Sequence, residues 1–320
     1  MEGYRELISV LPLDTVDFAF AYGSGAVQQS SENKEEKMVD FVIVTDDPVK
    51  FHTANIAANA SHYSLLRMVG PTTISTFQCN SGARVFYNTH VNVGKRKIKY
   101  GVISVENFKE DLLDWRWIYI AGRLHKPVLE VIKPSQTIEE LIVENRRSAL
   151  QTALLLLPEK FTLRELFQKI AGISYTGDFR MIIGEDKNKV SKIVDGGFES
   201  FLDVYRPLIA DDERVVLKSD EKGVQDGSTP AIYHRLNLLP SEVLNGLQKT
   251  WNRKVNRQQD TEEVIFSLAH RHDIAPTLER VIGNIIRPVA VTQTAKNAVS
   301  AGVTRSFIYS MAKMTKMLKK

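Results

Sequence analysis

The sequence predicts an α+β protein in which a mixed unit of strands and helices precedes a mainly helical unit and a C-terminal amphipathic helix. Residues 18–130 alternate strand-like apolar runs with helical segments. Helical periodicity dominates beyond a linker-like stretch at 133–136, and the C-terminal residues carry an apolar stripe at helical spacing. The 320 residues suffice for two compact domains. We therefore predict units at 1–132, 137–290 and 291–320.

Two strands and a helix open the first unit. Residues 18–22 form an apolar strand that ends in a Gly-Ser-Gly turn at 23–25, and residues 39–44 form a second strand. A helix then begins after Asp47, its predicted N-cap, with Pro48 at the first helical position. Further strands are predicted at 72–79, 84–93 and 97–105.

The spacing of Asn107 and Glu110 indicates the capped start of a helix over 107–124. Glu110 and Asp111 would then lie in its first turn, where the helix dipole favours acids, so we expect a structural role for them. The remaining predicted elements are a helix at 137–157, a capping box at Thr162–Glu165, a helix ending near Gly172 and an exposed loop at 211–230.

Composition excludes several classes of protein. Cys79 is the one cysteine, so an intrachain disulfide is impossible and a reducing compartment is expected. No uninterrupted apolar run approaches the length of a membrane span. The first twenty residues contain four acids, which argues against a cleavable signal peptide or an ordinary transit peptide.

Charge is unevenly distributed. The segment from Arg280 to Lys320 has eight basic residues and no acid, leaving 34 of the 42 basic residues against 38 acids in the rest. An acidic body with a basic tail is typical of a protein whose end binds an anionic surface. The tail predicts an amphipathic helix for a membrane surface, with nucleic acid or intramolecular packing as alternatives. Its apolar stripe is Val299, Val303, Phe307, Met311, Met314 and Leu318.

The turn after the first strand and the acid in the second strand form the first candidate site. A Gly-Ser turn, here Gly23 and Ser24, lets backbone N–H groups approach phosphate oxygens closely. Asp40 on the second strand is suited to bind the Mg²⁺ of a nucleoside triphosphate. This pattern is typical of polymerase-beta-type nucleotidyltransferases, although their second acid, two residues on, is replaced here by Val42. The alternative is an ordinary turn beside a structural aspartate.

A polar stripe follows on the predicted helix. His52, Asn55, Asn59 and His62 are spaced to fall on one helix face, and we refer to them as the polar stripe. The surrounding alanines leave few other polar residues to face water, so we interpret the stripe as the wall of a nucleotide pocket. A solvated helix face is the alternative. Zinc is not expected, because neither histidine has another ligand at helical spacing.

Basic residues supply the remaining candidates. Lys99 lies on a predicted strand and is suited to contact a triphosphate. Arg123 and Lys126 follow a predicted helix, where the helix dipole offers a structural alternative. Beyond residue 177 a further group combines three basic residues with two acids, and local ion pairs are its alternative explanation. This group is Arg180, Lys187 and Lys189 with Asp178 and Asp186.

The motifs resemble those of the mitochondrial translocator assembly and maintenance family, which are mitochondrial phosphatidate cytidylyltransferases. The resemblance covers nearly the whole chain, including the basic tail. It is carried by residues 20–25, 39–41, 45–48, 52–64, 99–104, 119–124, 177–181, 184–187 and 286–288.

The resemblance implies a reaction and an architecture. CTP and phosphatidic acid would give CDP-diacylglycerol and pyrophosphate, with Mg²⁺, for cardiolipin synthesis. The protein would be peripheral, on the matrix side of the mitochondrial inner membrane. A polymerase-beta-type nucleotidyltransferase domain would precede a winged-helix-like domain and a membrane-associating C-terminus.

The resemblance also distributes roles among residues. Asp40 is interpreted as the catalytic Mg²⁺ ligand, Gly23 and Ser24 as the triphosphate cradle, and Lys99 as a phosphate contact. The polar stripe would line the nucleotide pocket. Because Val42 is not a ligand, the missing acid is assigned to the second unit. Asp178 is its catalytic candidate and Asp186 its metal-binding candidate, while Arg180, Lys187 and Lys189 would bind phosphatidate.

Two other functions stay open from the residues. A polymerase-beta-type enzyme acting on RNA could use the basic tail to bind a phosphate backbone. The chain lacks the interleaved aromatic and basic residues that stack bases, so nucleic acid is not an expected partner. A non-catalytic assembly factor would explain the missing second acid.

Overall fold

The structure, a computed structural model, describes residues 2–23, 38–183, 188–219, 221–271 and 274–301. Over these residues the chain has an α+β fold, as predicted, with a five-stranded and a three-stranded sheet. Helices cover both faces of the larger sheet and make up most of the second unit.

The larger sheet is mixed. Its strands are β1 (Phe18–Tyr22), β2 (Val39–Thr45), β3 (Phe86–Val93), β4 (Arg96–Ser104) and β5 (Leu129–Ile132). They lie in the order β3-β4-β2-β1-β5; β2 and β4 are parallel, and the other neighbours are antiparallel. The strands predicted at 18–22, 39–44, 84–93 and 97–105 are therefore confirmed.

Strict alternation divides the sheet between two cores. Phe20 and Val42 point to one face and join a large core that continues through the helices of the second unit. Phe41 and Val102 point to the opposite face, where they pack beneath Phe51. A side chain's position along its strand therefore determines which of the two layers it joins.

Helices of the first unit connect these strands. They are α1 (Glu2–Ile8), α2 (Pro48–Asn59), α3 (Pro71–Asn80), α4 (Val105–Asp114) and α5 (Ala121–Leu124), with 3₁₀ segments at Leu13–Thr15 and Ala60–Val69. Asp47 caps α2 as predicted, accepting a hydrogen bond from the Lys50 N–H at 3.0 Å. The strand predicted at 72–79 is wrong. Pro71 starts a helix there, and Ile74 and Gln78 are buried one helical turn apart.

The single helix predicted over 107–124 is also wrong. Ser104, not Asn107, caps α4, which ends where Trp115 adopts a left-handed conformation with φ of 56°. Asp111 is fully buried in the last turns of α4, and its carboxylate bonds the chain that follows. It accepts four backbone N–H bonds at 2.7–3.1 Å, from Trp117, Tyr119, Ile120 and Ala121. The chain therefore forms a turn between α4 and α5, held by hydrogen bonds to the buried Asp111 carboxylate, instead of one continuous helix.

The second unit combines eight helices, within the described ranges, with a small sheet. They are α6 (Gln136–Leu155), α7 (Leu163–Gly172), α8 (Arg180–Ile183), α9 (Lys189–Ala210), α10 (Thr229–Asn237), α11 (Ser241–Val255), α12 (Thr261–Ala269) and α13 (Ile274–Ala301), with a 3₁₀ turn at Ile173–Tyr175. The Thr162 capping box is confirmed: the Glu165 N–H donates to Thr162 Oγ1 at 3.1 Å and Glu165 Oε2 accepts from the Thr162 N–H at 2.8 Å.

The exposed loop predicted at 211–230 is wrong. Strands β7 (Val215–Ser219) and β8 (Lys222–Gln225) form a hairpin there, and β8 also pairs with β6 (Lys160–Thr162). Gly223 lies against the Phe161 ring, where an added Cβ would come within 2.7 Å. The hairpin packs through this contact and has no long apolar run. The charged residues around it therefore favoured a loop in the sequence-based prediction.

One helix, α13, links the two units. The predicted boundary at 290/291 falls inside it. Gln293 on α13 accepts a hydrogen bond from the Ala83 N–H at 2.8 Å and donates one to the Val85 carbonyl at 3.1 Å. Lys296 is only 4% exposed and donates to the carbonyls of Gln78 and Ser81 at 2.9 and 3.0 Å. Lys296 therefore binds the first unit, contrary to its predicted place in a surface-binding tail.

We predict that Asp111→Asn lowers the thermal midpoint markedly. An amide would set its own N–H groups against the N–H donors of residues 117–121, and each buried N–H left unpaired costs about 1–3 kcal/mol. Differential scanning fluorimetry would measure the effect, with the exposed acid Glu106→Gln on the same helix as control. Equal midpoints for the two variants would contradict a structural role for Asp111.

Candidate active site

Three side chains from neighbouring strands form the centre of the candidate site. Antiparallel pairing sets Tyr22 beside Asp40, and parallel pairing sets Asp40 beside Lys99. Paired residues point to the same face of a sheet. The Lys99 ammonium lies 3.6 Å from the Asp40 carboxylate, and the two side chains are 21% and 30% exposed. A carboxylate and an ammonium that a ligand can reach thus lie side by side.

Tyrosine rings and a guanidinium surround this pair. The Lys99 ammonium lies 4.4 Å from the centre of the Tyr87 ring, and the hydroxyls of Tyr22 and Tyr87 are 3.4 Å apart. The Arg123 guanidinium lies 4.9 Å from the Tyr22 ring and 3.9 Å from the Tyr119 ring, and it donates to the Tyr119 carbonyl. Aromatic faces stabilise cations where water is scarce.

The local field shifts the pKa values of these groups. Burial raises the pKa of Tyr22 to about 12. Burial would also raise the pKa of Tyr119, but the charges of Arg123 and Lys99 outweigh it and hold that pKa below its usual value. Burial alone would lower the pKa of Lys99, yet the Asp40 carboxylate and the neighbouring tyrosines raise it overall. Lys99 therefore stays protonated, and the site as a whole favours an anion.

Two glycines allow this packing. Gly101 lies opposite Tyr87 in the sheet, and a Cβ there would come within 2.5 Å of the Tyr87 ring. Gly122 on α5 meets Ser174, where a Cβ would come within 2.4 Å of the Ser174 Cβ. Side chains at these positions would displace Tyr87 from the site and α5 from the second unit.

The predicted phosphate turn lies at the end of β1. Gly23 directly follows Tyr22, is exposed and has a φ of 77°, a conformation that favours glycine. The structure therefore puts Gly23 next to the Asp40 pair, where a triphosphate cradle was expected. Ser24 lies outside the described residues.

Asp178 binds Arg180 through both carboxylate oxygens. The Arg180 Nε donates to them at 2.9 and 3.0 Å and Nη2 donates at 2.6 Å. Asp178 is 4% exposed, and the preceding Gly177 packs so closely on Gly283 of α13 that an added Cβ would lie 2.8 Å from the Gly283 Cα. Asp178 thus orients Arg180, whose charge contributes to the field at Tyr119. The predicted partners Asp186 and Lys187 lie outside the described residues.

The side chains of Lys126 and Lys189 both approach the ring of Tyr175. Their ammonium groups lie 5.2 and 5.1 Å from the centre of the Tyr175 ring. Lys126 also donates to Ser174 Oγ at 2.9 Å and to the Gly122 carbonyl. Burial, followed by the charges of Arg123 and Lys189, lowers the pKa of Lys126 to about 7.

The polar stripe does not line this site. His52 and Asn55 are fully buried, and their polar atoms are bonded to other side chains. The His52 ring nitrogens lie 2.8 and 2.9 Å from the Tyr63 hydroxyl and Gln78 Oε1, and Asn55 donates to the hydroxyls of Tyr63 and Tyr100 at 2.8 Å. Burial lowers the pKa of His52 to about 4, which keeps it neutral. In this structure the polar atoms of these two residues are therefore bonded inside the protein and not directed at the Asp40 site.

Strand alternation explains this placement. Tyr100, which binds Asn55, follows Lys99 along β4 and so points to the opposite face of the sheet. His62 Nδ1 also lies 2.8 Å from the Tyr100 hydroxyl, and Asn59 donates to the Val10 carbonyl at 2.7 Å and to Asn55 Oδ1 at 2.9 Å. The whole stripe therefore belongs to the layer that faces away from Asp40.

Asp40 is the accessible carboxylate of the site. Among the described residues no group of three or more His, Cys, Asp or Glu side chains is arranged to hold a metal ion. Asp40 has an ion pair only with Lys99 in that part of the chain, so its oxygens can still accept further ligands. A metal bound here would take most of its ligands from a phosphate substrate and water.

Sequence reasoning missed the tyrosines of the site and left Arg123 undecided. Tyr22 and Tyr87 alternate with core residues along their strands, so only strand pairing could show that Tyr22 lies beside Asp40 and Tyr87 near Lys99. Tyr119 and Arg123 lay in a stretch predicted as one helix. The spacing Tyr119–Arg123, one helical turn, was the available signal.

In the described part of the chain, no helix combines the length and the apolar character that crossing a membrane requires.

Comparisons with known proteins agree with the motifs. The family model described as phosphatidate cytidylyltransferase, mitochondrial, matches residues 4–316. Relatives with that name include proteins of Caenorhabditis elegans and Caenorhabditis briggsae, 70% and 69% identical over 319 residues, covering 100% of this chain and 99% of theirs. The Xenopus laevis relative is 40% identical over 321 residues, covering 99% of this chain and 94% of its own. The chain therefore belongs to the mitochondrial phosphatidate cytidylyltransferase family.

Proposed function

We propose that this chain transfers the cytidylyl group of CTP to phosphatidic acid, giving CDP-diacylglycerol and pyrophosphate. Membership of the family over nearly the full chain supports this reaction. The observation in the molecule that supports it best is the Asp40–Lys99 pair beside the Gly23 turn. A metal-binding carboxylate, a phosphate-binding ammonium and a glycine turn there share one corner of the sheet.

The chemistry requires positioning and charge neutralisation more than proton transfer. An oxygen of the lipid phosphate attacks the α-phosphorus of CTP, and the bond from that phosphorus to the pyrophosphate oxygen breaks. The attacking phosphate is already an anion near neutral pH, so a general base contributes little. The protein must hold two anions in line and neutralise the departing pyrophosphate. Lys99 and Arg123 supply positive charge beside Asp40 for this purpose.

A magnesium ion fits the donor chemistry at Asp40. The carboxylate is partly exposed, and Mg²⁺ commonly binds one or two carboxylates together with substrate phosphates and water. Bound by Asp40 and the triphosphate, the ion would reduce the negative charge that the attacking phosphate meets. Gly23 and Ser24 would offer backbone N–H groups to the triphosphate, and the family motifs assign a second carboxylate to Asp178 or Asp186.

The architecture suits this assignment. A mixed sheet with a glycine turn after β1 and an aspartate on β2 supports a polymerase-beta-type nucleotidyltransferase domain. The β7–β8 hairpin beside α7 and α9 supports a winged-helix-like second domain. A polymerase-beta-type enzyme acting on RNA is the competing function.

A location follows from the substrate and from the relatives. Phosphatidic acid is a membrane lipid, and the relatives are named mitochondrial. We infer a peripheral protein on the matrix side of the mitochondrial inner membrane, with CDP-diacylglycerol passing to cardiolipin synthesis. Charge on the basic C-terminal residues would attract anionic lipids.

One incubation tests the proposed reaction directly. The protein is mixed with CTP labelled in the cytosine ring, Mg²⁺, phosphatidic acid vesicles and RNA, and the products are separated by organic extraction. Label in the lipid phase supports the proposal. Label in RNA would support the competing function, and label in neither would support a non-catalytic role.

We predict that Asp40→Asn lowers kcat/KM at least about a hundredfold, because a metal-bound carboxylate contributes several kcal/mol only when the triphosphate is present. The thermal midpoint should stay close to that of the wild type. Asp46→Asn, an exposed acid just beyond the same strand, is the matched control. Near wild-type turnover by Asp40→Asn would refute the metal-ligand assignment.

A second prediction separates two roles for Asp178. If Asp178 acts by orienting Arg180, then Asp178→Asn, Arg180→Gln and the double variant should lose activity by similar factors, because the pair acts as one unit. Steady-state kinetics on all three variants would measure this coupling. Losses that multiply in the double variant would instead favour Asp178 as an independent site carboxylate.

A third prediction concerns the tail. A cut before Thr292 would also remove Gln293 and Lys296, which bind the first unit, so the informative truncation follows Ala301. It removes five basic residues, each contributing up to about 1 kcal/mol of attraction to an anionic surface. The truncated protein should lose co-sedimentation with cardiolipin-containing liposomes while keeping activity on detergent-dispersed substrate.

A charge-only variant gives the matched control for the truncation. Changing Arg305, Lys313, Lys316, Lys319 and Lys320 to Gln retains the apolar stripe, so it should reduce liposome binding only partly and remove most of its salt dependence. Full liposome binding by the truncated protein would refute the membrane role of the tail.

A further inference from the structure

A row of cations leads away from Asp40. Lys99 lies beside the Asp40 carboxylate, and the charge of Arg123 acts on Lys99 and on Lys126 in turn. The charge of Lys189 also acts on Lys126, and the ammonium groups of both lysines lie over the Tyr175 ring. The four side chains come from β4, α5, the residues just after α5 and α9. The row thus spans the two units.

The middle of this row lacks a carboxylate. In the described ranges no acid lies within ion-pair distance of Arg123 or Lys126, and the buried Arg123 Nε has no hydrogen-bond partner there. Lys126 uses two donors, to Ser174 Oγ and the Gly122 carbonyl, so its ammonium retains a third. Arg123 and Lys126 are partly buried, and cations withdrawn from water without a counter-ion among the described residues are unfavourable, which indicates that an anionic ligand completes this region.

We propose that Lys126, with Arg123 beside it, binds the phosphate monoester of phosphatidic acid. The inference rests on the proposed function and assigns a subsite within it. The reaction requires two anionic substrates, and the Asp40 end, with its carboxylate and glycine turn, suits the metal-bound triphosphate. At the Lys126 end, Asp178 follows Tyr175 by three residues, but Arg180 binds both of its carboxylate oxygens, so the donors there suit the other substrate. Arg123, whose charge acts on both Lys99 and Lys126, would then contribute positive charge to both phosphates.

The subsite should respond to pH. The groups that face Lys126 are Arg123, Lys189, Tyr175 and the hydroxyl of Ser174. Burial and the two cations hold the Lys126 pKa near 7, so the free enzyme loses this charge as the pH rises above that value. A phosphate dianion favours the protonated form, and affinity for the lipid should therefore fall with rising pH.

Lys126→Met tests the subsite, with Lys133→Met, an exposed lysine, as the matched control. KM is measured for a short-chain phosphatidic acid and for CTP at about pH 6.5 and about pH 8.5, on either side of the shifted pKa. In Lys126→Met, KM for the lipid should rise about tenfold or more at the lower pH, the usual effect of losing a bond to a charged group. This defect should shrink at the higher pH, and KM for CTP should change little.

Lys126→Arg provides a second measurement, because it keeps a positive charge at both pH values. It should bind the lipid better than Lys126→Met at both, and its KM should rise less than that of the wild type between them. The lipid's own second ionisation is common to all variants and cancels in their comparison.

Three outcomes would overturn the subsite. They are a lipid KM unaffected by Lys126→Met, an equal defect at both pH values, and a defect in CTP rather than lipid. If wild-type protein made no CDP-diacylglycerol, the proposed function would fail by itself. Calorimetric titration of wild type and Lys126→Met with short-chain phosphatidic acid would then decide the subsite: weaker binding by the variant supports it, and equal binding refutes it.

Discussion

The geometry of the candidate site depends on one fully buried carboxylate, that of Asp111. Asp111 accepts hydrogen bonds from four backbone N–H groups within residues 117–121 and thereby fixes the turn that follows α4. Tyr119 lies in that turn, α5 begins at its end, and Arg123 packs on the Tyr119 ring. Burial raises the pKa of Asp111, and the four N–H bonds oppose that shift. The position of Arg123 is therefore determined by the hydrogen bonds of a carboxylate one helix earlier in the chain.

Local sequence signals predicted much of this arrangement. Caps at Asp47 and Thr162 and the alternating strands were readable because their causes lie within a few residues. The helix at 71–80 was missed because its β-branched residues favour strands, and only Pro71 marked its start. The break at Trp115 was unreadable for another reason. It depends on Asp111 meeting N–H groups six to ten residues later, which no capping motif describes.

In the candidate site, too, residue types could be predicted from the sequence, but contacts between distant residues could not. Asp40 and Lys99 were identified singly, by residue type and strand context, but their contact arises from the parallel pairing of β2 and β4. The polar stripe has a regular helical spacing, yet spacing cannot tell which face of a sheet a helix covers. That choice follows from Tyr100, the residue after Lys99, which binds Asn55 and His62 on the opposite face. Lys99 thus belongs to the candidate site, while Tyr100, the next residue on β4, bonds the polar stripe on the opposite face of the sheet.

The course of α13 bears on how the molecule unfolds. Its Gly283 packs on Gly177 in the second unit, while Gln293 and Lys296 bond the backbone of the first. Removing the first unit would leave the buried donors of Gln293 and Lys296 without acceptors, and the large core already runs through both units. Neither unit is thus an autonomous folding module, and heating should melt the described parts of the chain in one cooperative transition.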